Sequence, residues 1–315
     1  MSRLLLGAGI LALASLAGAL GLHPLTATAA EEGTASGPRA FPTPEALVEA
    51  VVAAAVANDD AALKALAGPE HADLVQPGGD PTVARVRAEF AANAKAFWKL
   101  EDREDGGKTL ILGANRFPFP APLKKTDAGW VLDVGAGRVE MLARRIGRNE
   151  LTAIKLCREY ARAQIEYASK DRDGDQVREY AQKFRSTEGR KDGLYWEVGE
   201  DGEVSPFGPL VASVEEYLKD RTATDPVGGY YWRIVTAQGQ NAPGGCHSYV
   251  INGNMIAGFA LLGFPAEYGE TGITSFLISH HGKLLEKDLG PNTAELLADW
   301  AVYNPDDKWT EVKED

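Results

Sequence analysis

The feature that constrains the fold most is a change of hydrophobic period near residue 97. Between residues 41 and 97, apolar residues recur three and four positions apart, which is the spacing of one face of an α-helix. From Trp98 onward, short apolar segments separated by Gly-Gly and Asp-Ala-Gly turns are typical of β-strands. The pattern therefore predicts helices followed by an antiparallel sheet, which is an α+β arrangement.

The helices and strands of this first half can be placed from their end signals. Thr43 is the expected N-cap of a helix with Pro44 at its first position. Asp60 is expected to cap a short second helix, and a third helix is expected over about 82–97. Strands are expected at 98–102, 108–113 and 130–134, with an irregular edge strand at 117–122, where three prolines cannot donate to a central ladder.

Residues 1–30 have the parts of a secretory signal peptide. A positive charge precedes an apolar run over 4–22, and small residues follow. An uncleaved anchor helix is the rival interpretation, but the run is rich in Ala and Gly and a cleavage site follows at once. We therefore predict cleavage after Ala29 or Ala30, a flexible leader over 31–40, no membrane span after cleavage, and a periplasmic or extracellular location.

The net charge and the cysteine content limit the kinds of partner and of site that this protein can have. The 315 residues carry a formal net charge of −12. Nucleic-acid binding depends on neutralising phosphates with Lys and Arg, so this charge argues against a nucleic-acid partner. Only two cysteines occur, Cys157 and Cys246, and neither lies in a metal-binding or redox spacing. Outside the cytoplasm the two cysteines form a disulfide or remain free thiols, and the sequence leaves both alternatives open.

The second half starts with helices and ends with a sheet. A short helical link is expected at 139–145, and a long helix over about 149–170 follows it. Further helices are expected at about 176–184 and 211–218, and a last one after Gly290. Strands are expected at 229–236 and 255–264, and a hairpin is expected from 274–279 and 284–288.

Two parts of the chain resemble known folds. Residues 41–138, with the phrase 124–132, resemble the cystatin-like cone of the nuclear-transport-factor-2 superfamily. Residues 149–312 resemble the globular heads of type IV pilins and pseudopilins. The resemblances imply two α+β domains, each with helices packed on an antiparallel sheet, joined by an Arg-rich linker at 139–148.

The mature chain is also similar, over residues 41–312, to a secreted bacterial family catalogued as domain of unknown function 2950. That family implies no activity and no catalytic residues. The phrases that carry the resemblance are residues 145–151, 171–175, 191–196, 228–233 and 287–290.

The best local signal for chemistry is the acidic loop Asp171, Asp173 and Asp175, with Glu179 four residues on. Carboxylates alternating along a tight loop can converge on Ca²⁺, which takes six to eight oxygen ligands. The spacing is not that of an EF-hand, because Gln176 replaces the turn glycine. The alternative is a solvated turn in which Asp173 or Asp175 caps the next helix.

Three other groups of residues have weaker signals. His280 and His281 follow each other in a hairpin turn, and neighbours in an extended chain point to opposite sides; we expect exposed turn residues. Cys246 and His247 could pair as nucleophile and base, but no orienting acid is evident. The aromatic residues at 195, 196 and 230–232 line a groove or pack in the core, and core packing is the expectation.

Two functions remain open at this level. The first is a non-enzymatic exported protein that binds an envelope protein or a polymer on its sheet and aromatic surface. The second is a calcium-stabilised hydrolase acting on cell-wall or extracellular polymer. Serine-hydrolase, phosphate-loop and dinucleotide motifs are absent from the sequence, and calcium is the one cofactor considered.

Overall fold

The structure is a computed structural model that describes residues 37–172, 174–199, 202–208, 226–297 and 300–313. It divides into two compact units, Met1–Ala143 and Arg144–Asp315. Helices and antiparallel sheets are both present, which confirms the predicted α+β class. No helix in the described ranges is long and apolar enough to cross a membrane.

The first unit begins with helices whose ends follow from local sequence. Thr43 caps the first helix as predicted, because its Oγ1 accepts a hydrogen bond of 3.1 Å from the amide of Ala46. The cap of the second helix is Asp59, which accepts from the amide of Ala62 at 3.0 Å, so the prediction of Asp60 was wrong by one residue. The helices are α1 Pro44–Val56, α2 Asp60–Ala67, a 3-10 helix Pro69–Leu74 and α3 Pro81–Ala96.

Asp60 has a different role from the one predicted. It pairs at 2.6 Å with Arg87 of α3, whose side chain is almost fully buried. The hydrogen bond from Arg87 holds the pKa of Asp60 below its usual value. Arg87 also donates to the carbonyl of Gln76 at 2.6 Å. Burying a cation is favourable only when its donors are paired. These bonds therefore connect α3 to α2 and to the loop that precedes α3.

The sheet of the first unit contains the strands predicted at 98–102, 108–113 and 130–134, and a further strand at Leu123–Thr126 that was not predicted. Its order is β1-β2-β4-β5, with β3 paired to β2, and every pairing is antiparallel. The expected edge strand over 117–122 is only two residues long, since a proline has no N–H for the ladder. The strands are β1 Trp98–Asp102, β2 Lys108–Leu112, β3 Phe117–Pro118, β4 Leu123–Thr126 and β5 Gly129–Leu132. Their inner faces meet α1 and α3 in a core that includes Leu47, Phe90, Leu110, Phe119 and Leu123.

One long helix, α4 Val134–Tyr167, follows the sheet. It is capped by Asp133, which accepts from the amide of Ala136 at 2.9 Å. Residues 139–148, predicted as a linker, are the middle of this helix and contain the boundary between the two units. The predicted separation between the helical link at 139–145 and the long helix from 149 is therefore absent, and Gly147 lies inside α4. A glycine weakens a helix by about 1 kcal/mol but does not end it as a proline does.

The sheet of the second unit has the order β14-β13-β12-β11-β6 and is antiparallel throughout. The predicted hairpin is confirmed residue for residue. The strand predicted at 255–264 is shorter and lies at Ala260–Pro265, where it is buried along its whole length as expected, while Met255 belongs to a separate short strand. The strands of this sheet are β6 Tyr230–Val235, β11 Ala260–Pro265, β12 Thr274–Ser279, β13 Leu284–Asp288 and β14 Thr310–Glu311. Two short ladders pair β7 Ala237–Gln238 with β8 His247–Ser248, and β9 Val250–Ile251 with β10 Asn254–Met255, and a short helix α5 spans Thr293–Leu297.

The helix predicted at 176–184 is absent from this described segment. The fully buried side chain of Gln164 accepts from the amide of Ala181 and donates to its carbonyl, both at 2.8 Å. The amide of Tyr180 donates to the carbonyl of Met255 at 2.7 Å. These long-range bonds use the backbone groups that a helix would pair within itself. The helix predicted at 211–218 lies outside the described residues.

Candidate functional site

The predicted calcium loop is held by its own backbone amides. Asp171 accepts from the amide of Gly174 at 2.8 Å and from that of Gln176 at 2.9 Å, one bond to each carboxylate oxygen. Asp173 lies outside the described residues. The described part of the loop is therefore an Asp-stabilised turn.

The other two acids of this loop reach across to β10. Asp175 accepts from the side-chain amide of Asn254 at 2.6 Å, and Glu179 accepts from the backbone amide of Met255 at 2.9 Å. Within the described residues no group of three His, Cys, Asp or Glu side chains could hold a metal ion. Because Asp173 is not among them, calcium binding stays a prediction. The alternative that Asp175 caps a helix is wrong, since no helix follows it.

The two cysteines are free thiols. Cys157 is fully buried on α4, and burial raises the pKa of its thiol far above the usual value. Cys246 is exposed beside Gln240, with its sulfur 3.6 Å from the amide oxygen. Of the two alternatives left open by the sequence, the structure has free thiols, because one cysteine lies in the core and the other at the surface.

Most of the aromatic residues considered as a binding groove belong to the core. Tyr230 is fully buried and Trp196 is 7% exposed, whereas Tyr231 is 36% exposed and contacts Phe264 at a ring distance of 5.7 Å. Trp232 packs on Tyr230 at 5.9 Å. The expectation of core packing therefore describes this set, and Tyr231 is its exposed member.

A charged cluster that the sequence did not indicate surrounds Glu203. Its carboxylate receives bonds from Lys191 at 2.6 Å, Arg172 at 2.8 Å and Lys170 at 3.1 Å. The hydrogen bonds from Lys191 and Lys170, and then that from Arg172, lower the pKa of Glu203 to about 2. Arg172 also lies over the ring of Trp196 at 5.1 Å. The carboxylate is thus a permanently charged cross-link rather than a proton donor or acceptor.

The histidines differ from the expectation for an extended chain. The rings of His280 and His281 lie only 4.1 Å apart, because the chain turns at this point and no longer alternates. His281 is exposed, as expected for a turn, and His280 is half-buried. The ring of His247 contacts Tyr249 at a distance of 5.6 Å, whereas the sulfur of the neighbouring Cys246 contacts Gln240.

An open groove of about 690 Å³ lies between α1 and α3 in the first unit. On the α1 side it is lined by Glu49, Val52, Ala53 and Val56, which lie at i, i+3, i+4 and i+7 and hence on one helix face. This face is separate from the buried face of α1, which includes Leu47, Val48, Val51, Ala54 and Ala55. The helix is therefore apolar on two sides, whereas a surface helix of a globular protein normally has one apolar stripe.

The α3 side of the groove is built mainly from alanines. Ala91, Ala92, Ala94 and Lys95 line this side, and Trp98 of β1 also belongs to the lining. Phe97, directly after α3, adds an aromatic edge and is 40% exposed, while Val56 opposite in the lining is 67% exposed. Glu49 and Lys95 are the charged residues of the lining. The small side chains of these alanines let another backbone approach closely. The groove as a whole presents apolar surface rather than converging polar groups.

Comparison with known proteins identifies a family to which the chain is similar, but no similar curated protein or solved structure. No curated protein and no solved structure is significantly similar to the chain, so the resemblances to the nuclear-transport-factor-2 superfamily and to pilin heads stay predictions. Residues 38–312 match the family model described as "Protein of unknown function (DUF2950)". This match covers both compact units, and the chain belongs to the DUF2950 family.

Proposed function

We propose that this protein is exported and acts by binding a partner polypeptide, not by catalysis, and that the groove between α1 and α3 is the binding surface. The observation that carries the proposal is the second apolar face of α1. Val56 and Phe97 expose large apolar side chains there, and contiguous exposed apolar surface is typical of interaction sites.

The occupant that fits this groove best is an amphipathic helix. Apart from Phe97 and Trp98, the lining residues belong to α1 and α3, whose backbone groups are paired within the helices, so these two walls offer no free N–H or C=O edge. An extended peptide buried there would lose hydrogen bonds to water without replacement, which is costly. A helix satisfies its own backbone and needs only an apolar stripe at i, i+3, i+4 and i+7. Glu49 and Lys95 in the lining favour a partner helix that carries one base and one acid beside that stripe.

Photo-crosslinking in cells tests this proposal. The full chain is made with p-benzoylphenylalanine in place of Ala92 in the groove, or in place of Val139, which is exposed on α4 outside the groove lining. We expect a polypeptide adduct from position 92 only. Mass spectrometry of the adduct should map the crosslink to a segment with an apolar residue every three or four positions.

The matched variants are Val56→Lys and Val139→Lys, at sites that are 67% and 68% exposed. A lysine near the C-terminus of α1 suits the helix dipole, so the fold should be kept. Val56→Lys should lower the crosslinking yield about tenfold, which corresponds to about 1.4 kcal/mol, and Val139→Lys should leave it unchanged. A lipid adduct, an adduct on a segment without helical spacing, or equal yields from both positions would contradict the proposal.

A further inference from the structure

A cluster of three histidines lies in the second unit, away from the residues that line the groove. His280 follows the last residue of β12, and its ring is enclosed by two aromatic rings, Tyr249 at 5.3 Å and Phe259 at 6.2 Å. Both contacts are edge-to-face, which is a favourable arrangement for aromatic rings. His281 stacks on the remaining side at 4.1 Å. The imidazole of the half-buried His280 is therefore held by ring contacts on several sides although it is titratable.

One nitrogen of this ring is buried and unpaired. The Nδ1 atom of His280 has no hydrogen-bond partner. It faces the backbone of Gly258, since a Cβ placed on that glycine would lie 2.6 Å from it. An imidazolium ion needs a partner for the proton on each nitrogen. The Phe259 backbone offers the ring only a weak hydrogen bond, which offsets part of the cost of charging it, so a protonated Nδ1 would be poorly paired in this packing.

The groups that face His280 cannot compensate its charge. They are His281 from the same turn, His247 from β8, and Tyr249, whose ring contacts both His247 and His280. Burial, and then the charges of His281 and His247, lower the pKa of His280, against a smaller raising effect from the Phe259 backbone; no carboxylate of the described residues contributes to this shift. A proton taken up by His280 on acidification therefore brings a positive charge to a site where no carboxylate of the described residues offsets it.

We propose that His247, His280 and His281 around Tyr249 form a pH-sensitive catch, which holds the turn between β12 and β13 closed at neutral pH and releases it on acidification. Tyr249 donates from its hydroxyl to the side-chain oxygen of Gln238 at 3.1 Å. Gln238 in turn holds the following loop by donating to the carbonyls of Pro243 and Gly245 at 2.7 and 2.8 Å. Loosening Tyr249 would hence also free this loop, which ends at the exposed Cys246.

The direction of the effect follows from linkage. The folded state resists protonation of His280, whereas the unfolded or open state takes up the proton near pH 6.5. The stability of the closed turn relative to the open turn is therefore greatest above pH 6.5 and decreases as the pH falls below that value. Below the lowered pKa of His280 it no longer changes with pH. Each unit of separation between the two pKa values changes the ratio of closed to open turn about tenfold.

Two measurements on the full chain, purified without a histidine tag, test the catch. The first is an NMR titration of the imidazole Cε1–H signals, in which His280 should titrate below pH 6.5. The second is hydrogen exchange of the amides of His280 and Gly282, which donate to Phe259 and Ser279, at pH 7.5 and 5.5 after correction for the intrinsic rate. We expect protection of both amides to be lower at pH 5.5, by up to about tenfold, which is the limit set by the one pH unit below 6.5.

Variants separate the catch from a general effect of acid. His280→Gln should remove most of the pH dependence of protection, while His71→Gln, a control in the first unit, should keep it. The proposal is overturned if His280 titrates at or above pH 6.5, if protection is the same at both pH values, or if His280→Gln loses as much protection as the natural chain. If His280→Gln does not fold, the titration of the natural chain still decides the question.

Discussion

Glu203 is the residue whose environment departs most from what its position in the sequence would indicate. Three cations, Lys170, Arg172 and Lys191, bind its carboxylate, although Lys170 lies 33 positions away along the chain. A charge with three charge-assisted partners is worth more than an exposed single ion pair, whose contribution is about 0–1 kcal/mol. This cluster therefore ties the end of α4 to the segment that contains Glu203.

The cluster makes part of the stability depend on acid pH. Because the pKa of Glu203 falls to about 2 from the ordinary 4.5, its stabilising contribution is complete above pH 4.5 and is lost as the pH falls from 4.5 towards 2. Urea unfolding at pH 5, 4 and 3 should show a smaller loss of stability for Glu203→Gln than for the natural chain. Glu197→Gln, in an exposed pair with Arg185, is the control and should behave as the natural chain does. Parallel curves for all three proteins would refute the cross-link.

Residue roles were predictable where the partner is close in sequence. Thr43 and the amide donor three residues on, that of Ala46, are visible in the sequence, and the structure confirms this cap. Gln164 and Glu203 were missed because their partners are distant along the chain and are brought near only by folding. The calcium prediction relied on local spacing alone, and two of its acids turn out to bind β10.

At the scale of elements, α4 offers the sharpest test. Gly147 lies within the helix, and no atom lies within 4 Å of the place where its Cβ would be. Gly147→Ala should therefore stabilise the protein by about 0.5–1 kcal/mol, because alanine loses less conformational entropy in a helix. The measurement is the free energy of unfolding in urea.

Gly137 in the same helix is the matched control. A Cβ at this position would lie 2.7 Å from the Cβ and 2.9 Å from the Cα of Ala121, so Gly137→Ala should destabilise by about 1–3 kcal/mol through overpacking. A gain in stability from Gly137→Ala, or a loss from Gly147→Ala, would show that the helix does not run through the segment as described.

Elements were predictable where pattern and turn agree. The hairpin of β12 and β13 has alternating or continuous apolar residues bounded by a Gly-containing turn, and both strands were placed correctly. Residues 176–184 have helical spacing, yet the segment is pinned by Gln164 and Met255 instead. The tertiary hydrogen bonds of this segment override its weak preference for a helix, because helix propensity contributes only a few tenths of a kcal/mol per residue.

At the scale of the whole molecule, the N-terminal segment gives a direct prediction. When the full chain is produced in a bacterium with an intact export system, we expect the protein in the periplasm or medium to begin at Ala30 or Glu31, since the small residues before those positions suit signal peptidase. Intact-mass measurement of the fractionated protein gives the first residue. Leu13→Arg, which interrupts the apolar run, should leave the uncleaved chain in the cytoplasm. A natural chain that still begins at Met1 would contradict this prediction.

The two hydrophobic cores differ in the range of residues that form them, and this difference affects the order in which the units fold. The core of the first unit uses residues from Phe41 to Val134, so all of its members have left the ribosome well before synthesis of the chain ends. The core of the second unit extends from Ala153 to Trp309, and Val312 still donates to Leu284. Such long-range closure delays folding of the second unit until residue 312 has been made. A nascent chain that stops before β14 would therefore contain a folded first unit and a second unit that lacks its last strand.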